Sequence, residues 1–175
     1  KDAKGLLKSA IRDDNPVMFV EHRLLHACKG PVPEEPYGVP LGKARRLAEG
    51  DDVTLVGISY MAVECLRAGQ HLKEVGIDAE VIDPVTLSPL DMVPITESVE
   101  KTGRLVVVDS AWTNCGASAE ILARVVEHFQ GRKEIRVRRM GFEPVTCPTP
   151  RALEAHFYPN PKTIASAASA IIRRS

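Results

Sequence analysis

The stretch Pro40–Asp91, PLGKARRLAEGDDVTLVGISYMAVECLRAGQHLKEVGIDAEVIDPVTLSPLD, decides the fold of this chain. Residues 52–58 form a short apolar, β-rich run, which predicts a buried strand. From Met61 the apolar residues recur at helical spacing as far as Gly76, a residue suited to the left-handed conformation past a helix end. Residues 79–83 are extended again. The stretch therefore predicts a strand, a crossover helix and a second, parallel strand.

The alternation of strands and helices continues after this unit. Ser88–Asp91 has the capping serine and early proline of a helix start, although Pro94 is expected to delay the regular helix by a turn. Further elements are expected as a buried strand at 105–109, a helix at 117–129, an edge strand at 135–140 and a last helix from Asn160. This pattern predicts an open, mostly parallel α/β sheet with helices on both faces.

The first forty residues follow a different pattern. A helix is expected over Ala3–Arg12, ended by Pro16, and a strand over Val17–Glu21. A lone helix and strand cannot bury both of their apolar faces, so this segment requires further chain or a partner. The prolines and glycines between Arg23 and Pro40 predict a linker without regular structure. Because no initiator methionine precedes these elements, we expect a piece of a longer polypeptide.

Composition excludes several classes of protein. The 175 residues carry 23 basic and 23 acidic side chains, so no overall field attracts nucleic acid. No apolar run approaches the roughly 18 residues that would cross a membrane. With no secretory leader visible and no paired cysteine spacing for zinc or redox motifs, a reducing compartment is expected. The four widely spaced cysteines, read as buried or incidental thiols, are Cys28, Cys65, Cys115 and Cys147.

Ligands of open α/β sheets bind at the carboxyl ends of the strands, which here are followed by loops 57–61, 83–88 and 109–116. None of these loops carries a dinucleotide fingerprint or a phosphate loop with its lysine. A nucleophilic role for Cys115 would require a nearby base that spacing does not supply. The richest loop therefore predicts a structural role, with Trp112 as a packing or interface anchor.

The five histidines show no metal-binding spacing, and no set of nucleophile, base and orienting group can be assembled from the sequence. Glu21 and His22, at the end of the expected strand, are the most plausible pocket residues if further chain completes a site. The histidines are His22, His26, His71, His128 and His156.

Six segments, taken in order, resemble the beta subunit of the thiamine-diphosphate-dependent decarboxylating component of 2-oxoacid dehydrogenase complexes. They read LLKSAIRDDNPVMFVEH, VPEEPYGVPLGKA, EGDDVTLVGIS, AEVIDPVTLSPLD, ESVEKTGRLVVVD and GASAEI. The likeness is close over about the first two thirds of the chain and looser beyond. Pyruvate and branched-chain oxoacid dehydrogenases are the nearest families, and transketolase and deoxyxylulose phosphate synthase are more distant.

The resemblance implies three parts of the chain. Residues 1–22 would be the end of an incomplete pyrimidine-binding domain, 23–40 a linker and 41–175 a transketolase-like C-terminal domain. The complete enzyme would decarboxylate a 2-oxoacid and pass the acyl group to a lipoyl arm. Its activating glutamate and catalytic histidine lie upstream in the family, so the resemblance implies no catalytic residue on this chain.

The resemblance also implies ligands and partners. The diphosphate of thiamine diphosphate and its magnesium would be held by the alpha subunit, so no cofactor-binding residue is expected here. The partners would be an alpha subunit and a second beta subunit, in a heterotetramer or dimer, together with the subunit-binding domain of an acyltransferase. The location would be the cytoplasm, or the mitochondrial matrix in a eukaryote.

One metal site maps onto this sequence by resemblance. In mitochondrial relatives a structural potassium ion is held at positions that match Ala10, Ile11, Asp13 and Asn15. A helix end offers unpaired carbonyls and hard cations take oxygen ligands, which suits this site. The alternative is a simple helix cap and turn.

Two positions depart from the family pattern, Ser110 after the strand aspartate and the Thr149–Arg151 loop, so the choice among oxoacids stays open. A free-standing α/β interaction or small-ligand module is one alternative function. It does not account for the helix and strand expected before Arg23. The C-terminal domain of a transketolase-type carbohydrate transferase is another alternative. The amino-acid sequence around Asp13 and in the linker argues against it.

Overall fold

The computed structural model describes residues 1–142 and 144–173. Most elements lie where the sequence predicts them. Within the described residues the α-helices are Asp2–Ile11 (α1), Tyr60–Lys73 (α2), Val93–Thr102 (α3), Ala117–Phe129 (α4), Arg151–Phe157 (α5) and Pro161–Arg173 (α6). The strands are Arg45–Ala48 (β1), Val53–Gly57 (β2), Ala79–Asp83 (β3), Arg104–Trp112 (β4) and Arg136–Phe142 (β5).

The strands form one sheet in the order β1-β3-β2-β4-β5. Strands β2 to β5 are parallel to their neighbours, and β1 runs antiparallel along β3 at the edge. Leu55 in the central strand pairs with Val81 on one side and with Val106 on the other. The mostly parallel sheet predicted from the sequence is confirmed.

Helices cover both faces of the sheet. Alternate side chains of the central strands point to opposite faces, so Leu55 and Val106 join one apolar cluster while Val56 and Val107 join the other. Helices α2 and α6 pack on the first face through residues such as Leu72. Helices α3 and α4 pack on the second face through Ile95, Ile121 and their neighbours. The central strands β2 and β4 are therefore mostly apolar on both faces, as expected for a sheet buried on two sides.

Polar groups on the second face are paired within the core. The Thr54 hydroxyl lies 2.7 Å from the hydroxyl of Ser98 and 2.8 Å from that of Thr102, which joins β2 to α3. Glu80 in β3 is fully buried and forms ion pairs with Arg46 of β1 and Lys101 of α3. These contacts hold the edge strand and α3 together across the sheet.

The expected strand over Val17–Glu21 is wrong. The segment is extended but pairs with none of the described strands, and Met18 and Val20 are exposed. An isolated extended segment leaves its backbone groups to solvent, so the apolar alternation alone does not make a strand. The preceding helix is confirmed as α1.

Two other local expectations also change. The helix predicted from Ser88 begins at Val93, with Pro94 in its first turn, where a missing backbone N–H costs little. The linker expected without regular structure contains a short 3-10 helix at Arg23–Ala27. Its N-cap is His22, whose Nδ1 accepts a hydrogen bond from the Leu24 amide at 3.3 Å. None of the described helices is long and apolar enough to cross a membrane.

Candidate functional site at the carboxyl edge of the sheet

The topology places a crevice position between β2 and β4. The chain leaves β2 towards β3 on one side, and β4 lies on the other, so the strand order reverses between these two strands. In open α/β sheets, ligands bind outside the carboxyl ends of the strands at such a switch point. Two of the three loop regions that the sequence indicated, 57–61 and 109–116, lie at this point, although β4 continues to Trp112 and leaves only 113–116 as loop.

The first loop turns so tightly that only glycine fits at its start. A Cβ on Gly57 would lie 2.5 Å from the backbone N and Cα of Ala62. Ser59 follows with φ 59° and ψ −126°, in a region that L-residues rarely adopt. The turn brings the ring of Tyr60 to the carboxyl edge at the start of α2.

The second loop is closed by a buried carboxylate. Asp109 is 4% exposed, and its Oδ2 accepts a hydrogen bond from the Ser118 amide at 3.4 Å. Burial raises the pKa of the Asp109 carboxyl, and the hydrogen bonds from the backbone amides of Ser118 and Ser110 oppose that shift. The amino end of α4 is thus already occupied by a side chain of the protein, at the place where a phosphate group would otherwise bind.

The chain's own N-terminal segment lies over this edge. Arg45 at the start of β1 binds Asp2 of α1, with Nη1 to Oδ1 at 2.8 Å. The imidazole of His22 stacks on the ring of Tyr60, with ring centroids 5.1 Å apart and planes 10° apart. The N-terminal segment therefore contacts β1 through Asp2 and the turn after β2 through His22.

The two predicted pocket residues are not brought together. His22 stacks on Tyr60, whereas Glu21 pairs with His26, with Oε2 3.4 Å from Nε2. Glu21 is exposed in this arrangement. The sequence signal for His22 was its position near a predicted strand end, but its partner Tyr60 was not predicted.

The predicted potassium ligands lie together at the end of α1. The amide of Asp13 binds the carbonyl of Ala10 at 3.3 Å, and Asp13 Oδ1 accepts from the amide and side chain of Asn15 at 2.9 and 3.0 Å. The hydrogen bonds from Asn15 lower the pKa of the Asp13 carboxyl. Ile11 is exposed. In this arrangement several candidate oxygens already accept hydrogen bonds from the segment itself, as in a helix end followed by an Asx turn.

The cysteines do not form a site in the part of the chain that the structure describes. Cys65 is buried in α2, and burial raises the pKa of its thiol. Cys115 and Cys28 are exposed, and Cys147 lies 3.4 Å from the hydroxyl of Tyr158. Among residues 1–142 and 144–173, no group of three or more His, Cys, Asp or Glu side chains is placed to hold a metal ion.

An aromatic cluster lies beyond the carboxyl ends of β4 and β5, and the sequence did not predict it. Trp112 pairs with Phe142 across the strands and is 57% exposed. The ring of Phe142 lies 4.7 Å from that of Phe157 and 5.2 Å from that of Tyr158. Because none of the residues of α5 is buried, this cluster and the helix form an apolar part of the surface.

Comparison with known families decides the identity of the fold. Residues 42–164 match the family model described as the transketolase C-terminal domain, and the match includes all five strands. The chain belongs to this family. The matched region holds the whole sheet and helices α2 to α5, whereas α1, the segment to Pro40 and most of α6 lie outside it.

The curated relatives extend the likeness beyond this domain. The beta subunit of acetoin:2,6-dichlorophenolindophenol oxidoreductase from Cupriavidus necator is 41% identical over 95% of this chain and 49% of that protein. The pyruvate dehydrogenase E1 component subunit beta of Bacillus subtilis is 40% identical over 98% of this chain and 53% of that protein. Its mitochondrial counterpart from Dictyostelium discoideum is 38% identical over 99% of this chain and 50% of that protein.

The chain spans about half the length of the curated relatives it matches. These relatives are beta subunits of pyruvate and acetoin enzymes, so the resemblance predicted from the sequence is confirmed, and the chain corresponds to the C-terminal region of such a subunit. A solved structure described as a split gene transketolase in an inactive beta4 tetramer also matches. It superposes with a TM-score of 0.66 at 27% identity, over 77% of this chain and 44% of that one.

Proposed function

We propose that this chain is the C-terminal part of the beta subunit of a thiamine-diphosphate-dependent dehydrogenase that acts on a 2-oxoacid. The complete enzyme would decarboxylate the oxoacid oxidatively and transfer the acyl group to a lipoyl arm. The chain's own contribution would be assembly. The observation that carries this proposal is the 38 to 41% identity to beta subunits along 95 to 99% of the chain.

The contacts at the carboxyl edge support a structural role. The Asp109 carboxylate caps α4, and the N-terminal segment lies over the loop that ends in Tyr60. A diphosphate with its magnesium requires free backbone amides and clustered oxygen ligands. The described residues at this edge do not offer that arrangement. We therefore propose that the diphosphate and magnesium are held by an alpha subunit.

We propose that residues 1–22 end a pyrimidine-binding domain, that 23–40 are a linker and that 41–175 form the C-terminal domain. Large apolar side chains on α1 and the extended segment after it support the first part of this division, because they require a cover. They are Leu7, Ile11, Val17, Met18 and Val20.

Acetoin is a second candidate substrate. The relative from Cupriavidus necator is named for acetoin, and it is as similar to this chain as the pyruvate dehydrogenase subunits are. Acetoin is a hydroxyketone without a carboxylate, so its cleavage involves no decarboxylation. The two candidates therefore differ in whether carbon dioxide is released.

Purification of the complete protein from its source, through an affinity tag, tests the proposed function. We expect an alpha subunit to co-purify, and the complex to reduce 2,6-dichlorophenolindophenol only when thiamine diphosphate is present. Pyruvate, branched-chain oxoacids and acetoin, supplied separately with carbon dioxide measured, identify the substrate class. Dye reduction that does not depend on thiamine diphosphate, or purification without an alpha subunit, would contradict the proposal.

The partners would be the alpha subunit, a second beta subunit and the subunit-binding domain of an acyltransferase, in the cytoplasm or the mitochondrial matrix. The aromatic cluster supports a contact surface at the carboxyl ends of β4 and β5. Exposed apolar side chains around it are Trp112, Val145, Leu153 and Tyr158. The split gene transketolase is described as a beta4 tetramer, which supports the proposal that beta chains associate with each other.

Sedimentation equilibrium tests this pairing. We expect the chain to form dimers or tetramers, and Trp112→Ser to weaken association on the order of tenfold or more, as for a buried aromatic anchor. Val75→Ser is the matched control, because Val75 is an exposed apolar residue in the turn after α2. Equal association of both variants would show that Trp112 does not lie in the interface. A parent chain that stays monomeric at high concentration would argue against pairing.

The potassium site stays a proposal for the complete protein. The oxygens at Ala10, Ile11, Asp13 and Asn15 would hold the ion if residues from upstream completed the cage. Flame photometry of the purified complex, with Asp13→Ala as the comparison, would detect it. A potassium content that does not change in this variant would rule the site out.

A further inference from the structure

Two contacts fix the N-terminal segment to the carboxyl edge of the sheet. One joins Asp2 of α1 to Arg45 of β1, and the other joins His22 to Tyr60 of α2. We call these four residues the clasp. They lie at the carboxyl ends of adjacent strands, since Arg45 pairs with Asp83 at the end of β3 and Tyr60 follows β2.

Arg45 is held between two carboxylates. Its Nη1 lies 2.8 Å from Asp2 Oδ1, and its Nη2 lies 3.7 Å from Asp83 Oδ2. Asp83 is oriented in turn by the amide of Val85, which donates to its Oδ1 at 2.9 Å. The guanidinium is therefore fixed by the body of the domain before it binds α1, and this pre-organisation reduces the entropy lost in the contact.

Tyr60 is supported in a similar way. Its hydroxyl accepts a hydrogen bond from Arg67 at 3.2 Å, and Arg67 also binds the buried Glu64 at 2.6 Å. The ring stacked on it, that of His22, is held by the hydrogen bond from the Leu24 amide to Nδ1. Each ring of the stack thus has its own support, one from α2 and one from the N-terminal segment.

Helix α1 also contacts the chain just before β1. Gly5 is the buried residue of α1, and a Cβ there would lie 2.5 Å from Val39 Cγ2. The amide of Val39 binds the carbonyl of Gly5 at 3.2 Å, and the Tyr37 hydroxyl binds the carbonyl of Lys1 at 2.6 Å. Helix α1 is therefore packed on residues 37–39, just before β1.

We propose that Arg45 and Tyr60 are positioning residues, through which the C-terminal domain sets the position of residues 1–22 and of the chain attached to them. The relevant geometry is the clasp itself, two side chains fixed by the domain and each bound to one end of the N-terminal segment. The effect on turnover rests on the proposed function, because it requires that the preceding chain carry the catalytic groups.

Hydrogen exchange on the 175-residue chain tests the clasp without any assumption about activity. The variants are Arg45→Met, Tyr60→Leu and the double variant, with Arg124→Met as control, since Arg124 pairs with Glu120 on the surface of α4. We expect exchange in α1 and residues 22–28 to rise about threefold with Arg45→Met and about fivefold with Tyr60→Leu. Amides of β2 and β4 should not change.

The double variant should show roughly the product of the two effects if each contact acts on the same closed state. Unchanged exchange in the N-terminal segment of the double variant would overturn the clasp. An equal rise in β2 and β4 would overturn it as well, because it would show global destabilisation instead of local opening.

Turnover by the purified native complex tests the positioning role. We expect Tyr60→Leu to lower kcat on the order of tenfold with little change in KM, and Tyr60→Phe, which keeps the ring, to restore most of it. An unchanged kcat in a Tyr60→Leu complex whose N-terminal segment exchanges faster would refute positioning. If the parent complex shows no thiamine-dependent turnover, the proposed function fails, while hydrogen exchange still decides the clasp.

Discussion

At the scale of single residues, Gly57 is the residue on which the turn at the carboxyl edge most depends. The atoms that a side chain would meet here belong to the backbone of α2, at 2.5 to 2.6 Å, and not to a flexible side chain. The turn can therefore accept a methyl group only if the helix moves away from β2. The tight turn also places Tyr60 where His22 can stack on it.

We predict that Gly57→Ala lowers the free energy of unfolding by about 3 kcal/mol, as for overpacking against a fixed backbone. Gly69→Ala is the matched control within the same unit, because its Cβ would meet ordinary contacts at 3.8 Å and longer. In the interior of α2, this second change should stabilise the protein by about 0.5 to 1 kcal/mol. Urea unfolding of both variants checks the pair, and equal effects would contradict the close approach.

The buried Asp109 carboxyl leads to a pH-dependent prediction. Its pKa is raised in the folded state, so the folded protein holds this proton more tightly than the unfolded chain does. Ionisation of Asp109 therefore lowers the free energy of unfolding as the pH rises from about 3.8 through the raised pKa. We expect Asp109→Asn to gain stability relative to the parent over this window, with a constant difference above it.

Denaturant unfolding from pH 3 to pH 8 measures this difference. The exposed Asp14→Asn is the control, and its difference from the parent should not vary in the same way. If Asp109→Asn instead loses stability relative to the parent as the pH rises, the hydrogen bonds from the backbone amides to Asp109 outweigh its burial.

At the scale of elements, the junction of β1, β3 and α3 depends on a buried charge. Glu80 is inaccessible to solvent, and its partners Arg46 and Lys101 approach from opposite elements. Each cation also has an outer carboxylate, with Glu97 3.6 Å from Arg46 and Asp51 3.1 Å from Lys101. Burying a carboxylate is costly unless it is paired, so the two cations determine whether this junction is stable.

We predict that the double variant Arg46→Met with Lys101→Met lowers the free energy of unfolding by about 3 to 5 kcal/mol, because it leaves Glu80 buried without a counterion. Addition of Glu80→Gln to that double variant should recover most of the loss. Guanidinium unfolding of the parent, double and triple variants measures the effect. A triple variant as unstable as the double would show that the charge of Glu80 is not the cause.

The elements differ in how well the sequence predicts them, and the reason is where their partners lie. Strands β2 and β4 have local apolar patterns and are buried on both faces, so their own residues identify them. Strand β1 is short and rich in arginine, and only its pairing with β3 makes it a strand. Residues 17–21 are the opposite case. Their apolar pattern favours a strand, but no described strand pairs with them.

The candidate site was predicted only in part, for the same reason. Topology rules indicated the loops after β2 and β4, and His22 was named as a pocket residue. Its stacking partner Tyr60 and the salt bridge between Asp2 and Arg45 join positions about forty residues apart, and no periodicity reports such contacts. Single-sequence patterns record local burial, whereas the clasp depends on how α1 returns to the sheet.

At the scale of the whole molecule, the C-terminal domain has the sheet of a ligand-binding fold but presents a different kind of surface. Its crevice loops contact the N-terminal segment, and its aromatic cluster at the ends of β4 and β5 is exposed. This arrangement is consistent with the assembly role that we propose for the chain.

We propose that thiamine diphosphate is bound by other parts of the enzyme, and that this chain holds those parts in position. Isothermal titration of thiamine diphosphate, with excess magnesium, into the 175-residue chain and into the purified native complex tests it most directly. We predict saturable binding by the complex and no heat of binding from the chain alone. Stoichiometric binding by the isolated chain would contradict the account.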